Sequence, residues 1–240
     1  MDLPQDFCRI HHWYPRFSAD TFPMTFVWLS CQEVEALAEG EITGAAANAV
    51  IARLEKAMNP LPNLRFVSVD LAAPVDVPRF QSKRGAVHSA ASAWNMLATS
   101  QKIRELAAAG EVRCICVRPF RRMDIQREFR LFIYEGELKA MSQYWLVQHF
   151  PWLAKRKEKY WSIGQAFVER NRFAFPAENF VMDIYVTSSD HVRILDLNPF
   201  GGDTDPLMLN HWDYDWSLPG NGIHIVPPPR IVKGNVNVSF

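Results

Sequence analysis

Along this chain the spacing of apolar positions switches between the two-residue period of strands and the 3.6-residue period of helices, and the switches mark its elements. Residues 22–29, rich in Phe, Val and Trp, predict a strand, and 33–39 a short helix stopped by Gly40. Val50, Leu54 and Met58 predict a helix over 45–58 that ends before Asn59-Pro60. Residues 63–71 read as a strand, 72–78 as a stiff loop, and 89–109 as a mostly helical Ala/Leu-rich region with Gly110 as its stop. A strand over 112–120 follows, then a hairpin of 128–134 and 138–145 turning at Glu135-Gly136, then an amphipathic helical region over 152–173. The opening residues 7–17 are aromatic and interrupted by Pro15, and they read as an extended segment packed across other elements.

The most informative pattern comes late. Val181-Met182-Asp183-Ile184-Tyr185 and Val192-Arg193-Ile194-Leu195-Asp196-Leu197-Asn198 are β-branched, apolar runs flanking a polar turn, so they predict two strands of a hairpin. Alternation puts Ile194, Asp196 and Asn198 on one face and Leu195 and Leu197 on the other, with Pro199 ending the strand. Asp183, on the partner strand, comes close to Asp196 if the register allows. Oxygen-bearing side chains at the buried end of a sheet are costly unless they bind something, and Mg²⁺ suits one or two carboxylates plus substrate phosphates. Taken alone, Asp-x-Asn-Pro also reads as a plain turn.

Composition narrows the class. The 240 residues are 48% apolar and 22% charged with a formal net charge of zero, ordinary for a globular protein and without a global signal for nucleic acid or an anionic membrane. No run approaches the roughly 18 apolar residues of a membrane helix, and the N-terminus lacks the basic and apolar regions of a signal peptide, so a cytoplasmic protein is expected. Cys8, Cys31, Cys114 and Cys116 lack zinc-ligand spacing, and the last two read as small buried hydrophobes within a strand. The adjacent His11 and His12 read as packing or surface residues. Three basic features can take an anion or be satisfied otherwise. Lys83 and Arg84 beside Gly85 can cradle phosphate or form a solvated turn. Arg118 at a strand end can bind phosphate or an acid. Arg130 can pair with Glu128 or face the cavity of Asp196. The basic run 155–159 reads as a solvated face, 201–205 as a flexible acidic loop, and the tail from Gly220 as extended.

Several motifs together resemble the cell-division-cycle 123 (D123) family, a divergent branch of the ATP-grasp superfamily. Glu128-Phe129-Arg130 is similar to its Glu-Phe-Arg strand, and Phe180-Val181-Met182-Asp183-Ile184-Tyr185 to its Phe-Val-x-Asp-x-Tyr strand. Asp196-Leu197-Asn198-Pro199-Phe200-Gly201 with Thr204-Asp205 resembles its Asp-x-Asn-Pro-Phe-Gly…Thr-Asp signature. Trp13-Tyr14 with Phe17 and Thr21, Ala73-Pro74-Val75-Asp76, and Val117-Arg118 resemble upstream elements, although Val75 stands where the family carries a basic residue. The resemblance implies an α+β ATP-grasp fold of two lobes, 1–117 and 118–240, with ATP between them. It implies Arg118 on the nucleotide phosphates with Lys83 or Arg84 substituting for the missing basic residue. Arg130 would take the transferring or substrate phosphate, and Asp183, Asp196 and Asn198 would hold Mg²⁺. Two activities follow: ATP-dependent ligation of a carboxylate to an amine through an acyl phosphate, or, as in eukaryotic members, assembly of translation initiation factor 2 by engaging its gamma GTPase subunit.

Overall fold

A computed structural model of the chain describes residues 6–229. The architecture is α+β, with two compact units. The first runs to Met123 and includes Arg193–Leu197; the second comprises Asp124–Val192 and the chain from Asn198.

The first unit holds a four-stranded antiparallel sheet of β1 (Thr25–Trp28), β2 (Arg65–Val69), β3 (Ala86–Val87) and β4 (Cys114–Pro119) in the order β1-β4-β2-β3. Its helices are α1 (Ile10–Phe17), α2 (Cys31–Glu39), α3 (Ala45–Met58), α4 (Pro78–Lys83), α5 (Ala90–Ala98) and α6 (Gln101–Ala108). Val27, Leu37, Val50, Leu54, Trp94 and Val117 belong to one buried cluster that joins sheet to helices. α2 begins on a capping box, with the Ser30 N–H donating to Glu33 Oε2 at 2.8 Å, and ends on Gly40 at φ 74°.

The expected extended segment over residues 7–17 is instead largely α1. Ile10, Trp13 and Phe17 are buried at helical spacing, and this apolar stripe prevails over the break that Pro15 suggested. The Ile10 N–H donates to the Asp70 carbonyl at 2.8 Å, which ties the helix start to the end of β2. The helical region 89–109 divides at Ser100, whose Oγ accepts the Ile103 N–H at 3.2 Å and so begins a second helix. Asp76 reinforces that start, accepting from Ser100 Oγ at 2.6 Å and from the Gln101 N–H at 2.7 Å. Burial opposes the charge on Asp76, but hydrogen bonds from Ser100 and from the Lys102 and Gln101 backbone outweigh it and hold the carboxyl below the usual range.

In the second unit β5 (Glu128–Tyr134), β6 (Glu137–Gln143), β7 (Phe180–Val186), β8 (Val192–Pro199) and β9 (Ile223–His224) form a sheet in the order β8-β7-β5-β6-β9. β5 pairs antiparallel with β6 and β7, and β9 joins β6 in parallel. The expected helical region over 152–173 resolves into α7 (Pro151–Ala154) and α8 (Lys157–Asn171). Gly164 lets α8 approach β6: a Cβ there would meet Leu138 at 3.2 Å and the Met141 sulfur at 3.4 Å. Phe132, Ala140, Val181 and Leu209 form a small core roofed by Phe200, Trp212, Tyr214 and Trp216. The tail expected to be extended contributes β9, and its residues 230–240 lie outside the described residues. Among the described residues no helix is long and apolar enough to cross a membrane.

Candidate functional site

The register of β5 against β7 sets Arg130 directly opposite Asp183. Arg130 Nε donates to Asp183 Oδ1 at 2.7 Å and Nη2 to Oδ2 at 2.8 Å, a bidentate pair between residues 53 apart in sequence. Both are almost sealed from solvent, at 6% and 5% exposure. Arg130 Nη1 donates to the Asp205 carbonyl at 2.7 Å, and the Tyr144 ring lies 5.4 Å from the guanidinium carbon. Asn198 then donates from Nδ2 to Asp183 Oδ2 at 3.1 Å. Thus Arg130, Asp183 and Asn198, which the sequence named separately, meet in one hydrogen-bonded group in the second unit. Of the two partners open to Arg130 from its sequence, Glu128 or the cavity of Asp196, neither is the cross-strand partner found here.

Asp196 lies two residues before Asn198 on β8, half-buried, with Oδ1 accepting the N–H of the following Leu197 at 3.0 Å. Its neighbourhood belongs to the first unit, where Ile194 bridges Thr21 and accepts the Thr21 hydroxyl at 2.7 Å. Burial, and then the Asp196 carboxylate, push the Cys8 thiol well above the ordinary range. By donor type alone, carboxylates and an amide oxygen are hard donors of the kind Mg²⁺ selects.

The basic residues lie in the first unit. Arg118 on β4 stands opposite Phe66 on β2, with its guanidinium carbon 4.3 Å from the Phe66 ring centre and 5.7 Å from that of Phe22. Such stacking fixes the plane of the guanidinium. Lys83 ends α4 and Arg84 caps it at φ 51°, both exposed. This helix takes up part of the stretch 81–85 expected to be a solvated turn or a phosphate cradle. Gly85, at φ 80°, is required by packing: a Cβ would lie 2.7 Å from the rings of both Phe66 and Phe80. Val75 is 46% exposed.

Sequence patterns gave no sign of the Asp205 carbonyl, because a backbone acceptor carries no residue-type signal. Ser142 is equally silent in sequence; its Oγ accepts the Met208 N–H at 3.2 Å and anchors the segment after Asp205.

The fold is that of an α+β protein with two sheet-bearing units. The family profile D123 matches residues 88–218, more than half the chain. A Xenopus tropicalis protein named translation initiation factor eIF2 assembly protein is 39% identical over 95 residues, 38% of this chain and 28% of its own length. Cell division cycle protein 123 of Candida glabrata is 35% identical over 84 residues, 34% of this chain and 23% of its length. The aligned stretch thus spans about a quarter of these relatives. The structure of Cdc123 from Schizosaccharomyces pombe superposes with a TM-score of 0.80 at 20% identity, covering 92% of this chain and 95% of that one, a likeness of fold. The chain belongs to the D123 family.

Proposed function

We propose that this protein binds Mg·ATP in the cytoplasm and, in that state, acts as an assembly factor that engages the gamma subunit of translation initiation factor 2. Asp183, Asp196 and Asn198 would hold the cation, Arg118 the nucleotide phosphates, and Lys83 or Arg84 would supply the charge absent at Val75. The observation that carries this reading is the bidentate clamp of Arg130 on Asp183, shared by Asn198, which fixes the Asp183 carboxylate and the Asn198 amide side by side. Bound there, Mg²⁺ would neutralise the triphosphate oxygens. The initiation factor is taken from the names of the relatives, and its gamma subunit from the family resemblance.

A second reading, ATP-dependent carboxylate–amine ligation through an acyl phosphate, uses the same ligands and adds a catalytic role for Arg130. All three guanidinium nitrogens of Arg130 already have acceptors within the second unit, which favours a binding role over one in phosphoryl transfer.

Calorimetric titration of Mg·ATP tests the site. Asp196→Ala is expected to weaken binding on the order of tenfold or more by removing one charged cation ligand. Unchanged affinity would overturn the assignment. Capture of the purified gamma subunit should require Mg·ATP; capture that is indifferent to nucleotide, or ATP turnover in its absence, favours the ligase reading instead.

A further inference from the structure

In the first unit, three side chains other than those assigned to Mg·ATP converge from three elements: His11 on α1, Asp70 just past β2, and Cys114 at the start of β4. Their Nδ1, carboxylate oxygen and Sγ all lie within 4.8 Å of one another. His11 Nδ1 is 3.6 Å from Asp70 Oδ2 and 3.8 Å from Cys114 Sγ. The first distance is too long for a hydrogen bond. Both suit two atoms sharing a cation: tetrahedral zinc with Zn–N of about 2.05 Å and Zn–S of about 2.3 Å separates N from O by about 3.4 Å and N from S by about 3.6 Å.

We propose that His11, Asp70 and Cys114 form a zinc site that ties α1 to the β2–β4 ladder. Imidazole, carboxylate and thiolate are the donor set this borderline-soft ion selects, in contrast to the oxygen donors of the second unit. The fourth position falls to water. Uptake breaks the S–H bond of Cys114, forms the Zn–S bond and passes the proton to solvent.

The surroundings of Asp70 are those of an oriented ligand. Its Oδ1 accepts the Arg113 N–H at 3.0 Å, and Oδ2 accepts Arg9 Nη1 at 2.7 Å, leaving the same oxygen facing His11. Hydrogen bonds of this kind fix the direction of a ligating carboxylate. The charge of Arg9 is balanced by Asp6, whose Oδ1 accepts Arg9 Nε at 2.6 Å. Asp70 and Cys114 are fully buried, whereas the His11 side chain is 11% exposed beneath the half-open Trp28 ring, 4.9 Å away, so the imidazole edge is the route for entry.

This proposal is independent of the function proposed above. The test titrates the full chain with zinc chloride against a chromogenic chelator, then with cobalt, whose thiolate charge-transfer absorption reports a sulfur ligand. One ion per chain, the thiolate band, and at least tenfold weaker binding in both His11→Ala and Cys114→Ser are expected. Zinc should also raise the melting temperature of the wild type but not of His11→Ala. No uptake by the wild type, no thiolate band, or affinity unaltered in both variants overturns the site. Circular dichroism identical to wild type shows that each variant is folded; if Cys114→Ser is not, His11→Ala, at the more open position, decides.

Discussion

Arg130 offers the sharpest test of how the second unit is held together. Arg130→Met leaves the Asp183 carboxylate, 5% exposed, without its bidentate partner, and removes the donor from the Asp205 carbonyl. An exposed ion pair contributes about 0 to 1 kcal/mol, but stranding a buried charge costs about 3 to 5 kcal/mol. The burial of both partners puts Arg130 in the second class. The Asn198 amide remains on Oδ2 at 3.1 Å and offsets part of this, so the lower end, about 3 kcal/mol, is expected. Arg130→Met combined with Asp183→Leu removes the unmatched charge as well and should be less destabilising than Arg130→Met alone. Native-state hydrogen exchange across β5 and β7 measures both effects inside the second unit. A loss below about 1 kcal/mol for the single variant, or a double variant equal to the sum of its parts, would refute the reasoning.

Two further perturbations address the first unit. Asp76→Ala should cost about 1 kcal/mol near neutral pH by uncapping α6. Because the Asp76 carboxyl is held below its ordinary value, that contribution is fully present above the unfolded carboxylate pKa of about 3.9 and is lost as pH falls through the lower folded value, so urea unfolding of wild type and variant should converge in acid. Gly85→Ala combines a positive φ with a Cβ 2.7 Å from two aromatic rings, and a destabilisation above about 1 kcal/mol is expected in thermal unfolding; a neutral result would mean that the rings yield freely.

Much of the second unit was legible because its strands announce themselves locally. Residues 128–134 alternate without a breaker and form β5 with the expected bounds, and the polar turn between β7 and β8 stands where Thr187 and His191 predict it, with the Thr187 N–H on the His191 carbonyl at 2.9 Å. The apolar spacing of residues 45–58 likewise fixed α3 at both ends. Failures came where a local signal was overruled. Pro15 argued against a helix, yet Ile10, Trp13 and Phe17 are buried at helical spacing. Residues 81–85 read as a solvated turn or phosphate cradle because the helix over Pro78–Lys83 is short and has no buried residues.

By itself the sequence determined the strands that carry Asp183, Asp196 and Asn198, the alternation that orients them, and family membership through motifs in order. Tertiary structure decided the partners. That Arg130 meets Asp183, and that His11 meets Asp70 and Cys114, depends on strand register and helix docking across 53, 59 and 103 residues of chain. Local propensity acts over a few residues, whereas those meetings are fixed by hydrogen-bond ladders and buried surfaces that exist once the sheets have formed.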